Sequence, residues 1–360
     1  MRRLVFASVL LAWIGFPSNL GEQEAPLAGP ADEAMQRLSI RLPAGALASD
    51  SIRKPLEELS REQCDQQAIT ALDNALEQAG FRRPAATALL RFSETCGGQA
   101  ALVRKAADIL LALSDYHAAS ITASKLIEME PFDDTGYYIR GVANDKAGFP
   151  KKAINDYITT IELFGDKTKI SSAVYLALAR AYEKLGKFCD AAGTIEAWVA
   201  ISPAQNGTSQ TRAIIATYAS KGGCPVAEAA EEEVFPISEH NNVATVQATV
   251  NGTPGTFLVD TGATFVSLKA AFAKKAKVAV DEQSSIQLST ANGLGEAKLG
   301  RAETIKVRSL QAAGVPLVVQ TRGKSPFAEG VDGLLGMSFL SRFNVAMDGK
   351  TVKLSARPLH

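Results

Sequence analysis

Asp260 has the setting best suited to acid–base chemistry in this chain. It follows Phe257-Leu258-Val259, a run that reads as a buried strand, and precedes Thr261-Gly262-Ala263. An acid placed there either caps a turn, as Asp-x-Gly commonly does, or acts on a substrate. Gly262 allows a sharp turn where a side chain would clash, and the Thr261 hydroxyl can tie down neighbouring backbone. Acid–base work by carboxyls usually takes two of them, held in different protonation states. A catalytic Asp260 therefore needs a partner. About seventy residues on, Val331-Asp332-Gly333-Leu334-Leu335-Gly336-Met337 offers another acid beside glycine. Neither Asp332-Gly333 nor Asp348-Gly349 has the intervening Thr or Ser, so neither repeats the first loop.

Other chemistries fit the residues less well. The chain has three histidines, His117, His240 and His360, and no HExxH or CxxC, which argues against a metal site. Gly336-Met-Ser-Phe-Leu lacks the second glycine of a nucleophile elbow. Asn292-Gly-Leu-Gly295 lacks the spacing and strand–helix context of a dinucleotide loop, so no cofactor is implied. Lys+Arg and Asp+Glu both number 38. Without a basic surplus, nucleic acid and anionic membrane are poor partners. With 360 residues, 46% apolar and 21% charged, the chain suits a soluble protein with two separate cores.

The elements around Asp260 are strands. VATVQATV, TFLVD, ETIKVRSL, VPLVVQ, NVAMD and TVKLSA read as β-type runs, with turns at Asn251-Gly252, Asn292-Gly293 and Asp348-Gly349. The helix candidate among them is Ser267 to Lys277. Together they make an all-β domain over residues 239–360, of ordinary domain size.

Leu258 to Ala263, with Leu334-Leu335-Gly336 downstream, resembles the single-lobed, retroviral-type (retropepsin-like) bacterial aspartic proteases. The resemblance spans roughly residues 240–360. It implies that Asp260 is the catalytic acid, that Thr261, Gly262 and Ala263 support its loop, and that Leu334, Leu335 and Gly336 pack beneath it. It also implies a β-hairpin flap with its tip at Thr290, Ala291, Asn292 and Gly293. One Asp-Thr-Gly loop is half of what a two-lobed enzyme carries, so the resemblance implies a homodimer whose two Asp260 side chains face each other across a two-fold axis. The expected activity is endopeptidase cleavage of a polypeptide. A non-catalytic interaction scaffold that keeps the protease fold is the alternative.

Upstream the grammar is helical. GFRRPAA, SDYHAAS, GFPKKAI and GKFCDAA are each a tight turn followed by a small residue, Ala85, Ala119, Ala153 and Ala191, at spacings of 34, 34 and 38. Pro131 and Pro203 stand where second helices should stop. This period resembles tetratricopeptide repeats, over residues 61–225, and implies an α-helical solenoid able to hold a protein partner. Cys64 would begin the first helix of one pair and Cys96 end its antiparallel partner. Cys189 and Cys224 relate similarly at the far end, so disulfides 64–96 and 189–224 are expected. Residues 22–60 and 226–238 read as linkers. Met1-Arg2-Arg3 and the apolar run Leu4 to Phe16 read as a signal peptide over residues 1–21, hence export to a periplasm or beyond. An uncleaved N-terminal membrane anchor is the alternative.

Overall fold

Small residues at helix crossings set the pitch of the amino-terminal half. The computed structural model describes residues 29–237, 244–290, 293–322, 327 and 329–356. The expected signal segment lies outside them. Antiparallel helix pairs follow one another: α1 (Pro30–Arg37) with α2 (Asp50–Arg61), α3 (Gln66–Gln78) with α4 (Arg82–Thr95), and α5 (Ala100–Ala112) with α6 (Tyr116–Met129). Then come α7 (Asp134–Lys146) with α8 (Pro150–Leu163), and α9 (Ser172–Lys184) with α10 (Phe188–Ile201). The short α11 (Pro203–Asn206) and α12 (Ser209–Gly222) close the array. The repeat alanines Ala85, Ala119, Ala153 and Ala191 are wholly buried where the paired helices approach. Asp65, Asp115, Asp133 and Ser171 accept N–H bonds at the starts of α3, α6, α7 and α9, supplying partners for donors a helix start leaves unpaired.

The array begins earlier than the sequence suggests. Residues 22–60, expected as a linker, include α1 and α2, and Ile52, Leu56 and Leu59 are buried in the same apolar cluster as α3 and α4. The apolar spacing of α2 is helical, but Pro55 inside it disguised the pattern. The cysteines pair 64–96 and 189–224, as their positions at the ends of the array led one to expect.

The second half is built from β1 (Glu228–Ala229), β2 (Glu233–Pro236), β3 (Ala244–Val250), β4 (Thr253–Val259), β5 (Val266–Lys269) and α13 (Ala270–Lys275). It continues through β6 (Ala279–Val280), β7 (Ile286–Thr290), β8 (Gly293–Val307), β9 (Leu310–Arg322), β10 (Gly333–Leu335), α14 (Met337–Leu340), β11 (Asn344–Met347) and β12 (Thr351–Ser355). Strands run β9-β5-β10-β4-β3-β8, and β8 pairs back with β9, so this sheet closes on itself. Asn251 and Gly252 both take positive φ in the β3–β4 turn, as an Asn-Gly hairpin requires. Expected helix 267–277 is shorter than its sequence pattern, because Ser267 and Leu268 are claimed by β5, paired between β10 and β9. Residues 226–238, expected as a linker, also carry structure: β1 pairs with β9 and β2 with β12.

The two halves pack directly. Ile158 and Ile161 of α8 share one apolar cluster with Phe265, Ile286, Leu288 and Val318 of the β domain. Arg301 on β8 also forms an ion pair with the buried Asp190 of α10.

Candidate active site

The loop carrying Asp260 is positioned by a strand it does not belong to. β4 and β5 are consecutive in the chain yet not adjacent in the sheet. β10 lies between them, parallel to β4 with Leu334 opposite Leu258, and antiparallel to β5 with Leu334 opposite Ser267. The loop 260–265 must therefore arch over the end of β10. Leu335 is wholly buried, and its carbonyl accepts the Asp260 N–H at 3.0 Å. Met337 N–H donates to the Ala263 carbonyl and Ser338 N–H to that of Thr264, both at 2.8 Å. The Ser338 hydroxyl accepts from Val266 N–H at 2.9 Å. Gly336 is required by this close approach: a Cβ there would lie 2.3 Å from the Phe265 carbonyl oxygen.

Within the loop, Gly262 N–H donates to Asp260 Oδ1 at 2.9 Å, which orients the carboxyl. Asp260 is half-buried, while Thr261 and Gly262 are exposed at the tip. The Thr261 hydroxyl lies 3.8 Å from Met347 Sδ on β11. Asp332 is engaged in the sheet: its Oδ2 accepts from Thr256 N–H at 2.9 Å, so it serves the fold beside the loop.

Asp260 lines a cavity of about 390 Å³ together with Leu288 and Ser289 of β7, Gln320 of β9, Phe327 and Leu334. β7 and β8 form a hairpin with Thr290 opposite Gly293, so the expected flap lies along this cavity. Its tip residues Ala291 and Asn292 lie outside the described residues. A second cleft, of about 600 Å³, meets the exposed side of the loop at Thr261 and Gly262. Among the described residues, no three His, Cys, Asp or Glu side chains are grouped to hold a metal ion.

The helical array also reaches the site, which sequence reasoning missed. Glu162, in the last turn of α8, and Lys167 just beyond it line the cavity that holds Asp260. Burial pushes the Glu162 carboxyl above the ordinary range, and the Asp260 charge pushes the same way; Lys167 and the nearby Thr264 side chain oppose them. Burial lowers the Lys167 ammonium, against the pull of Glu162 and Asp134. Two sequence signals were available. Ile158, Thr159, Thr160 and Ile161 put no charged side chain on four successive positions of α8 and all four are buried, the mark of a stretch covered on more than one side. An acid in the last turn also opposes the helix dipole.

Residues 246–342 match the model of the family described as "gag-polyprotein putative aspartyl protease". The β domain is retropepsin-like. This retropepsin-like domain is similar to a retropepsin-like aspartic protease from Rickettsia conorii, at 22% identity and a TM-score of 0.28, over 34% of this chain and 90% of that one. The array is similar to MamA from Desulfovibrio magneticus RS-1, at 17% identity and a TM-score of 0.37, over 49% of this chain and 98% of that one. It is also similar to a thermophilic TPR protein of Thermus thermophilus, at 15% identity and a TM-score of 0.33, over 46% of this chain and 88% of that one. No curated protein matches. Helical array and retropepsin-like domain thus meet at the loop of Asp260.

Proposed function

We propose that the chain is an aspartic-type endopeptidase in which Asp260 activates the water that attacks a peptide carbonyl. The observation that carries this reading is the Asp260 loop itself: an acid at the end of a buried strand, gripped by Leu335 and Gly262, opening on a cavity beside a β-hairpin. A grip from both sides holds a carboxylate in one orientation, which general-base catalysis needs. The substrate is a polypeptide lying along the cavity, with no cofactor and no metal taking part.

A second carboxyl must hold a proton for the substrate oxygen. The expected source is Asp260 of a second copy across a two-fold axis, and the exposed tip at Thr261 and Gly262 leaves that approach available. The array would serve as a surface for a protein partner, and Phe132 and Phe149 are exposed on it. Export to an oxidising compartment completes the reading, and two disulfides support it.

The test is cleavage of an unstructured protein by the purified chain and by Asp260→Asn, from acidic to neutral pH. Loss of cleavage by at least about 10²-fold in the variant supports the reading. Equal cleavage by both forms would sink it.

A further inference from the structure

We propose that the cavity of Asp260 holds a subsite for a carboxamide side chain, asparagine or glutamine, of the polypeptide substrate, built by Glu162 of the array and Ser267 of β5. This rests on the peptidase reading of Asp260 and names the substrate class that the site selects. Each copy in the pair of Asp260 loops brings one such subsite.

Packing puts both side chains in the cavity wall. Ile158 and Ile161 of α8 share an apolar cluster with Ile286 and Leu288 of β7, and the Thr159 hydroxyl accepts from Gln287 N–H at 3.1 Å. Those contacts seat the last turn of α8 against the β7–β8 hairpin, where Glu162 lines the cavity of about 390 Å³ together with Asp260. Ser267 reaches the same cavity from the sheet. It stands opposite Leu334 of β10 and Val318 of β9, and all three line the cavity. Residues opposite one another on paired strands share a face, so a hydroxyl interrupts an otherwise apolar row.

Both side chains end in an oxygen that the fold leaves unused. Glu162 Oε1 and Ser267 Oγ are buried without a hydrogen-bond partner among the described residues, and Ser267 is only 5% exposed. Buried polar atoms in folded proteins are nearly always paired, so two orphans in the cavity of the candidate catalytic acid call for a ligand. Water can take those bonds between turnovers, and a substrate group that displaces it must reproduce them.

Charge and bonding capacity decide which group that is. The charged or titratable side chains lining the cavity, among the described residues, are Asp260, Glu162 and Lys167. Burial favours the neutral form of Glu162, which leaves Lys167 to offset Asp260. A lysine or arginine of the substrate would meet Lys167, and an aspartate or glutamate would meet Asp260, so neither finds a spare counter-charge for its burial. An alkyl side chain has no hydrogen bond to give. A carboxamide is neutral and offers two N–H donors and a carbonyl acceptor. Its N–H donates to Glu162 Oε1, and its carbonyl accepts from the Ser267 hydroxyl.

The experiment follows cleavage of an unstructured peptide library by the full chain, with every position near the cut varied. Asparagine or glutamine should be favoured over leucine, lysine and glutamate by about tenfold or more at fixed distances from the cut. Glu162→Leu and Ser267→Ala, each checked for folding and oligomeric state, should each lower the glutamine-to-leucine ratio of kcat/KM by about tenfold, through a higher KM for the glutamine peptide. Selection of a charged or alkyl side chain over the carboxamides, or a ratio within about threefold of wild type in either variant, overturns the proposal. Binding to the Asp260→Asn chain keeps its failure separate from that of the peptidase reading. Peptides carrying glutamine or leucine at successive positions are compared by fluorescence anisotropy. Tighter binding of a glutamine form that wild type never cuts would keep the subsite and remove the peptidase. Cleavage without selection would do the reverse, and equal binding of both forms, or none, overturns the subsite.

Discussion

Gly336→Ala tests whether the Asp260 loop is held by close backbone packing. The new Cβ would lie 2.3 Å from the Phe265 carbonyl oxygen and 2.7 Å from that of Ala263, where ordinary contact begins at 3.4 Å. The loop must retreat by about 1 Å, since Gly336 is itself pinned between Leu335 and Met337. That movement stretches the two 2.8 Å bonds, from Met337 to Ala263 and from Ser338 to Thr264, beyond hydrogen-bonding range. Losing them costs about 0.5–1.5 kcal/mol each, and overpacking adds about 1–3 kcal/mol. The sum is about 2–6 kcal/mol, a fall in thermal midpoint on the order of 10 °C. A carboxyl displaced by about 1 Å should also lose roughly 10²-fold in kcat/KM. Urea unfolding and cleavage of an unstructured protein measure both. Gly165→Ala is the control, because nothing lies within 4 Å of its Cβ position. If Gly336→Ala unfolds within about 1 kcal/mol of wild type and cleaves within about threefold, close packing does not hold the loop.

Three further outcomes follow from contacts elsewhere. Replacing Cys64 and Cys96 by serine opens a link of sequence separation 32 and should cost about 3–4 kcal/mol of stability, read as a lower urea midpoint. Arg301→Ala leaves the buried Asp190 without its cation; about 3 kcal/mol should be lost, with faster proteolysis between the halves, and an unchanged cutting rate would show the ion pair does not hold them together. Glu162 gives a pH signature. Its folded-state pKa is raised, so the native state holds the proton while the unfolded state releases it near the ordinary value of 4.5. Native stability should then fall as pH rises from that value through the folded pKa, and Glu162→Gln should abolish this decline, as urea midpoints across pH would record.

What could be read from the residues divides by range along the chain. Ala85, Ala119, Ala153 and Ala191 betrayed the array because a repeat is a local, recurring demand for small side chains. Asp260-Thr261-Gly262 was legible for the same reason: the turn needs those residue types in immediate succession. The pairing of β7 with β8, Thr290 opposite Gly293, was also legible, because a turn signal stands between two strand-like runs there. Glu162 was legible only in part: the run Ile158 to Ile161 marks a covered stretch of α8, but nothing local says that its cover is a hairpin more than a hundred residues away. β2 was missed because its residues Glu233 to Pro236 include a proline and follow an acidic run, features that suit an edge strand as well as a linker.

β2 bears on how the chain can be divided. Phe235 is buried opposite Val352, and Leu354 is covered beside it, so the strand leading out of the array is part of the domain it leads into. A retropepsin-like fragment begun after Pro236 would leave β12 with an open hydrogen-bonding edge and two apolar side chains uncovered. Such an edge templates pairing with other chains. A fragment that aggregates would then report a missing strand rather than a dependence on the helices, and one starting before Glu228 is the fair comparison.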